Sequence, residues 1–209
     1  MKPIDYTLYV ITDRTWLAGG SLADAVRAAI EGGATVVQLR EKNIPDEEYI
    51  SRAQEIKPIC DASGVPLLIN DRVAVAQAVG AGVHLGASDG DIAEARRILG
   101  PDALIGATAK TIEQAQAADH AGANYLGSGA VFGSTTKTDA KPMTIAQFSE
   151  ICKSVSIPVV AIGGVSAENA HALKGAGMAG LCVISAVFAK PDVKAAAQTM
   201  RTLAEEVCR

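Results

Sequence analysis

Short apolar runs recur along the chain, and polar or glycine-rich residues follow at the carboxyl end of each run. The run Val36–Leu39 leads into Arg40, and the run Leu67–Ile69 leads into Asn70. Apolar runs of this length that are bounded by turns are typical of buried parallel strands. Parallel strands of a barrel present their carboxyl ends at one face, so the pattern predicts a cluster of polar side chains at a common mouth.

Glycine-rich turns separate these runs and divide the chain into alternating strands and helices. The first of eight strands is Leu8 to Ile11. Helices are expected over 21–30, 45–62, 72–79, 91–99, 111–120, 144–155, 166–174 and 193–208. This alternation predicts an α/β fold, a single (βα)8 TIM barrel that occupies residues 1–209. An open doubly wound sheet is the alternative, although no GxGxxG motif follows the first strand.

Composition limits the classes of partner. The chain is 49% hydrophobic but only 4% aromatic, so we expect a core of Ala, Val, Ile and Leu. A net charge of −4 without a basic stripe argues against nucleic-acid binding. The absence of a long apolar stretch and of a signal-like amino terminus argues against a membrane and favours the cytoplasm. Four separated cysteines without a CxxC pair are expected to be reduced structural thiols.

Gln38, Arg40 and Lys42 form the first group of candidate site residues. Gln38 and Arg40 point to the same side of a strand because they are two residues apart. If that side is the barrel interior, burial of an unpaired Arg is costly, and a bound phosphate would offset the cost. An internal ion pair with a carboxylate is the equally weighted alternative.

Two aspartates form the second group. Asp71 follows the third strand and Asp89 follows the fourth, which places two carboxylates at one mouth. Hard oxygen ligands of this kind suit Mg²⁺ that bridges carboxylates to substrate phosphates. Each aspartate taken alone is as well explained as a helix N-cap.

The third group is expected to bind a second anion. Gly163-Gly164 after strand seven and Ile184-Ser185 after strand eight match the usual phosphate site of barrels, with 185–189 as its short extra helix. The segment 133–137 carries three hydroxyls and Lys137, in a long loop that can fold over an anionic ligand. Ordinary turn glycines and a solvated loop are the alternatives.

His84 is expected to be an interior barrel histidine rather than a general base.

Taken in order, these motifs resemble the thiamine-phosphate synthase family. The resemblance rests on Gln-x-Arg-x-Lys at 38–42, Asn-Asp at 70–71, His-Leu-Gly-x-x-Asp at 84–89, Thr-Thr-Lys at 135–137, Ile-Gly-Gly at 162–164 and Ile-Ser at 184–185. It extends from Tyr9 to the last strand. The chain departs from the family pattern at Ala87, where Gln is usual, at Thr108, where Ser is usual, and at Gly133, where the loop normally begins with Pro.

The resemblance implies a transferase that joins a pyrimidine diphosphate to a thiazole phosphate, giving thiamine phosphate and diphosphate. It implies that the pyrimidine diphosphate binds to Gln38, Arg40, Lys42, Asn70, Thr108 and Lys137. It implies that the thiazole phosphate binds to Ser134, Thr135, Thr136, Gly164, Ile184 and Ser185. Arg40, Lys42 and Lys137 would be catalytic, and Asp71 and Asp89 would bind Mg²⁺.

Two rival functions remain open within the same fold. A thiazole tautomerase-like paralogue is disfavoured because that family lacks the Asn-Asp pair and the full Gln-x-Arg-x-Lys set. A non-catalytic phosphate-binding barrel is disfavoured by the joint presence of Asp71, Asp89 and Lys137. The expected partners are small-molecule substrates, and the sequence does not determine whether the chain forms a homo-oligomer.

Overall fold

The computed structural model describes residues 3–17, 19–86, 90–133 and 142–208. Eight parallel strands pair in sequence order, and β8 pairs with β1 to close a barrel. The strands are β1 Leu8–Ile11, β2 Val36–Leu39, β3 Leu67–Asn70, β4 Gly82–Leu85, β5 Ile105–Ala109, β6 Tyr125–Gly129, β7 Val159–Ile162 and β8 Gly180–Val183. The closed barrel confirms the predicted fold and excludes the open doubly wound sheet.

Helices follow the strands around the outside of the barrel. They are α1 Leu22–Glu31, α2 Asp46–Ala62, α3 Val73–Val79, α4 Ile92–Leu99, α5 Ile112–His120, α6 Ile145–Ser154, the short α7 Ser185–Phe188 and α8 Val193–Val207. The short extra helix therefore begins at Ser185, where the sequence predicts it.

The prediction of a regular helix over residues 166–174 is wrong. The segment forms a short 3₁₀ helix, Ala170–Leu173, closed by bonds of the i→i+3 kind such as Ala172 N to Asn169 O at 3.0 Å. Asn169 is the reason, because its side chain accepts from Ser166 N at 2.9 Å and donates to Gly164 O at 2.8 Å. Side-chain bonds of this kind compete with the α-helical backbone pattern and favour a turn.

The core has two parts, one between barrel and helices and one inside the barrel. The outer part is mostly aliphatic, as the composition predicts, with Tyr49, Phe148 and Phe188 as its buried aromatic residues. The inner part departs from that expectation because it contains Tyr6, Tyr9 and Tyr125. A phenol fits there because Gly106 stands opposite: a Cβ at that glycine would lie 2.1 Å from Tyr125 Cζ. The tyrosines fill the middle of the barrel.

Two further features bear on the expectations from composition. Within the described ranges, no helix combines the length and the apolar character needed to cross a bilayer. In the same part of the chain the cysteines form no disulfide bond, and burial raises the pKa of the Cys60 and Cys152 thiols to about 12. Thiols of this kind are poorly reactive at neutral pH, because the thiolate is the nucleophile.

Candidate active site

A cavity opens at the carboxyl ends of the strands, above the tyrosines. It gathers residues from all eight β-strands and from segments that directly follow them. Seven of the predicted binding residues line it, namely Gln38, Arg40, Asn70, Thr108, Gly164, Ile184 and Ser185. Predicted binding residues as far apart in the sequence as Gln38 and Ser185 thus meet in one space.

Gln38 on β2 and Arg40 directly after it both line the cavity, as their spacing predicts. Gln38 is buried, and its Nε2 donates to Tyr9 Oη. The backbone N–H of Arg40 donates to Thr12 Oγ1 at 3.1 Å, which ties the ends of β1 and β2 together. Arg40 Nε is buried without a hydrogen-bond partner, and within the described residues Arg40 forms no ion pair. The internal ion pair considered from the sequence is therefore not found there.

Asn70 lies at the end of β3 and is held by a side chain from α2. Its backbone N–H donates to Tyr49 Oη at 3.2 Å, and Tyr49 donates in turn to Leu39 O at 2.6 Å. Burial raises the pKa of Tyr49 well above its ordinary value, so the phenol keeps its hydrogen. Asn70 Nδ2 is buried without a partner. The β2 and β3 ends are thus braced, while the Asn70 amide keeps a donor available at the cavity.

Asp71 has a left-handed backbone, with φ of 67°, directly after β3. This conformation is uncommon for residues other than glycine, and Asn and Asp tolerate it best. Its carboxylate lies 3.7 Å from Lys42 Nζ. The N-cap of α3 is Arg72, without a side-chain bond, so Asp71 is not the helix cap considered from the sequence. Asp89, its predicted partner, lies outside the described residues.

The turn after β7 and the start of α7 form the predicted phosphate corner. Gly163 and Gly164 have φ of 94° and 68°, and a Cβ at Gly164 would lie 2.7 Å from Phe132 O. Only glycine fits such a turn without strain. Gly164 and Ser185 also line a second cavity towards α8, so they stand between two open spaces. Ser134, Thr135, Thr136 and Lys137 lie outside the described residues.

His84 lies inside the barrel, lines the cavity and is hydrogen-bonded through both ring nitrogens. Nδ1 is 2.8 Å from Tyr125 Oη, and Nε2 is 3.0 Å from Thr108 Oγ1. These contacts agree with the expectation of an interior barrel histidine. They also fix Thr108, one of the predicted binding residues.

An outer cleft adjoins the cavity on the β1–β2 side. It is lined by Asp13, Arg14, Thr15, Trp16, Arg40, Glu41 and Lys42. Arg14 Nε donates to the buried Glu41 at 3.0 Å, so this carboxylate is neutralised by Arg14. Arg40 lines both spaces and therefore joins the outer cleft to the central cavity.

Comparison with known proteins decides the family. The model of the thiamine monophosphate synthase family matches residues 8–187. Thiamine-phosphate synthases of Ruminiclostridium cellulolyticum and Clostridium novyi are each 46% identical, covering 94% and 96% of this chain and 94% and 99% of their own. A solved thiamine phosphate pyrophosphorylase from Pyrococcus furiosus is 40% identical with a TM-score of 0.89, covering 98% of both chains. The chain belongs to the thiamine monophosphate synthase family.

Family membership confirms the resemblance that the ordered motifs predicted, together with the fold, the transferase class and the thiamine-phosphate synthase function. The relatives match along nearly their whole length, so the similarity covers the cavity and the elements that build it. The roles of individual residues are a separate matter and are proposed below.

Sequence analysis missed three kinds of supporting residue in this family member. Tyr49 braces two strand ends, Asn169 braces the Gly164 turn, and Tyr9 and Tyr125 connect side chains inside the barrel. The signal for the tyrosines was the alternation of β1 and β6, which puts them on the interior face. Tyr49 and Asn169 act across elements, and nothing in the local sequence shows their partners.

Proposed function

We propose that the chain condenses 4-amino-5-hydroxymethyl-2-methylpyrimidine diphosphate with a thiazole phosphate to give thiamine phosphate and diphosphate. The observation that carries this proposal is the cavity that brings together members of both predicted sets of ligand-binding residues. Arg40 Nε and Asn70 Nδ2 add support because they are buried donors without partners. A buried donor without a partner costs free energy that a bound anion or polar ligand offsets.

In this proposal the pyrimidine diphosphate occupies the β2–β3 side of the cavity. Gln38 and Thr108 hold the pyrimidine, while Arg40, Lys42, Asn70 and Lys137 hold the diphosphate. Diphosphate is a poor leaving group until its charge is neutralised. Arg40, Lys42 and Lys137 neutralise it as the C–O bond breaks and its electron pair passes to the diphosphate oxygen. They are therefore the catalytic residues.

The thiazole phosphate occupies the β7–β8 side. Gly164, Ile184 and Ser185 hold its phosphate together with Ser134, Thr135 and Thr136, as barrels commonly do after strands seven and eight. The thiazole nitrogen uses its lone pair to form the new C–N bond and becomes quaternary. The nucleophile loses no proton, so the reaction needs no general base. This agrees with the engagement of both His84 nitrogens by neighbouring hydroxyls.

Asp71 and Asp89 would hold Mg²⁺, which would neutralise diphosphate charge when bound. Asp71 fits this role because its carboxylate stands at the mouth beside Lys42 rather than capping a helix. Within the described residues there is no group of three His, Cys, Asp or Glu side chains that could enclose a metal. Two carboxylates are enough for the proposed site, because Mg²⁺ is often held by one or two carboxylates and the phosphates of its substrate.

The decisive experiment mixes the purified protein with both substrates and Mg²⁺ and measures thiamine phosphate and diphosphate together. We expect equal amounts of the two products, and none when either substrate is omitted. Isomerisation of the thiazole without the pyrimidine would instead indicate a tautomerase-like paralogue. Binding of both ligands without product would indicate a non-catalytic phosphate-binding barrel.

We also propose a cytoplasmic location, which the absence of disulfides among the described cysteines supports.

A further inference from the structure

A continuous series of side-chain hydrogen bonds crosses the barrel interior from β2 to β5. Gln38 Nε2 donates to Tyr9 Oη, which lies 2.7 Å from Tyr125 Oη. Tyr125 Oη lies 2.8 Å from His84 Nδ1, and His84 Nε2 lies 3.0 Å from Thr108 Oγ1. We call these five residues the interior relay. Its two ends, Gln38 and Thr108, line the cavity, while its tyrosines are fully buried beneath it.

Two strand glycines leave the space that the relay occupies. A Cβ at Gly106 would lie 2.1 Å from Tyr125 Cζ, and a Cβ at Gly127 would lie 3.3 Å from His84 Cε1. Neither glycine has the left-handed φ that would explain its presence by backbone conformation. Gly106 on β5 and Gly127 on β6 therefore leave the space in which Tyr125 and His84 pack. The size of the strand residues fits the relay.

With a donor at the Gln38 end, only one direction of the hydrogens lets each tyrosine hydroxyl both accept and donate within the relay. An amide nitrogen only donates, so Tyr9 Oη accepts from Gln38, and in this arrangement Tyr9 donates its own hydrogen to Tyr125 Oη. The Tyr125 hydrogen then goes to His84 Nδ1, which must be unprotonated. A neutral His84 carries its hydrogen on Nε2 and donates it to Thr108 Oγ1.

Both phenols keep their hydrogens under ordinary conditions. Burial raises the pKa of Tyr9 and that of Tyr125 well above the ordinary value of 10.0. At its two ends the relay therefore offers one hydrogen-bond acceptor and one hydrogen-bond donor. Gln38 keeps its carbonyl oxygen as an acceptor, and Thr108 keeps its hydroxyl hydrogen as a donor.

We propose that the interior relay fixes this polarity, so that the cavity selects an aromatic ring with an exocyclic amino group next to a ring nitrogen. The amino group donates to Gln38 Oε1, and the ring nitrogen accepts from Thr108. The proposal rests on the proposed function and deepens it, because the aminopyrimidine of the donor substrate has this pair of groups. The corresponding 4-oxo ring presents the opposite pair, a carbonyl acceptor and a ring N–H donor. Tyr9, Tyr125 and His84 are positioning residues.

The first test measures the His84 tautomer in the native protein by ¹⁵N NMR, without substrate and without reference to activity. The chain has 3 histidines, so variants at His120 and His171 assign the signals. We expect a neutral His84 ring with its hydrogen on Nε2. A hydrogen on Nδ1 would show that the relay runs in the opposite direction, and hydrogens on both nitrogens would show that the ring is charged. Either result overturns the proposal.

The second test compares Tyr125→Phe with the matched control Tyr6→Phe. Tyr125→Phe removes the hydroxyl that links Tyr9 to His84, whereas Tyr6 packs on Tyr125 at 4.9 Å between ring centroids but is not part of the relay. Calorimetry gives the Kd of the aminopyrimidine diphosphate, of its 4-oxo analogue and of the thiazole phosphate.

We expect Tyr125→Phe to weaken binding of the aminopyrimidine diphosphate by about tenfold, the scale of one lost hydrogen bond. It should also shrink the preference for the amino over the 4-oxo ring, with no change for the thiazole phosphate. Tyr6→Phe should preserve that preference. An unchanged preference in Tyr125→Phe overturns the proposal.

If Tyr125→Phe does not fold, the native tautomer still decides the direction, and Tyr9→Phe repeats the binding comparison. A protein that makes no thiamine phosphate but shows the expected tautomer and preference would contradict the proposed function alone.

Discussion

At the scale of single residues, Arg40 is the cation that the structure connects most closely with the proposed site. Its Nε is buried without a partner, and it joins the central cavity to the outer cleft. A guanidinium binds phosphate oxygens through two parallel donors, which an ammonium does not reproduce. The expected role of Arg40 in phosphate binding therefore depends on the geometry of its donors as well as on its charge.

We predict that Arg40→Lys raises the KM for the pyrimidine diphosphate by about tenfold or more while Tm changes little. The physical reason is the loss of charge-assisted hydrogen bonds, each worth about 1.5–3 kcal/mol. Steady-state kinetics with each substrate varied in turn would measure this effect. Arg27→Lys is the matched control, because Arg27 forms an exposed ion pair with Asp24 on α1. A similar rise in both variants would contradict the assignment.

Asp71 provides a second prediction at this scale. Asp71→Asn should raise the Mg²⁺ concentration needed for half-maximal activity by about tenfold or more, because an amide binds Mg²⁺ more weakly than a carboxylate does. Asn also tolerates the left-handed backbone at φ of 67°, so the fold should be retained. The measurement is a Mg²⁺ titration of the rate beside a thermal melt.

Asp102→Asn is the control for that titration, since Asp102 is exposed and precedes β5 at the opposite end of the barrel. An enzyme that keeps its full rate after treatment with a chelator would show that the metal assignment is wrong, whatever Asp71→Asn does.

At the scale of elements, β5 and β6 are matched by the size of their side chains. Gly106 pairs with Tyr125 across these strands, and it leaves room for the phenol inside the barrel. Added atoms in a packed interior force neighbouring side chains or backbone to move. This pair therefore links the packing of two strands to His84, which contacts Tyr125 Oη and lines the cavity.

Gly106→Ala should destabilise the protein by about 1–3 kcal/mol, the usual range for an overpacked core. Gly64→Ala is the control, because its Cβ would meet open space while its φ of +66° carries the backbone cost alone. Chemical denaturation of both variants would compare the free energies of unfolding. If Gly106→Ala were no less stable than Gly64→Ala, strand packing would not explain the glycine.

At the scale of the whole molecule, burial of ionisable groups makes stability depend on alkaline pH. The chain has 4 tyrosines, and all of them are buried, with pKa values raised by loss of solvation. Cys208 adds to this effect, since burial raises its pKa from 9.0 to about 11. The folded state therefore holds these protons at pH values where the unfolded state loses them.

Stability should consequently be constant near neutral pH and fall as pH rises above about 9–10, because the unfolded state then binds fewer protons. We expect the ultraviolet signal of tyrosine phenolate to appear together with the loss of helical circular dichroism. Phenolate that formed well before unfolding, near pH 10, would contradict the burial of the tyrosines.

The sequence by itself determined the barrel and most of its cavity. Strand ends are local signals: an apolar run followed by polar residues shows where Gln38, Arg40 and Asn70 leave a strand. Closure of the barrel then places such ends at one mouth, whichever residues follow them. The sequence also assigned the family, because several motifs occur in the required order.

Only the tertiary structure decided which alternatives hold and which residues support the site. Asp71 does not cap a helix and Arg40 has no ion pair within the described residues, and each of these facts depends on contacts between separate elements. The interior relay joins five residues on β1, β2, β4, β5 and β6, with up to 116 positions between bonded partners. No local pattern encodes such bonds, since hydrogen bonds inside a barrel form between side chains that only the closed sheet brings within reach.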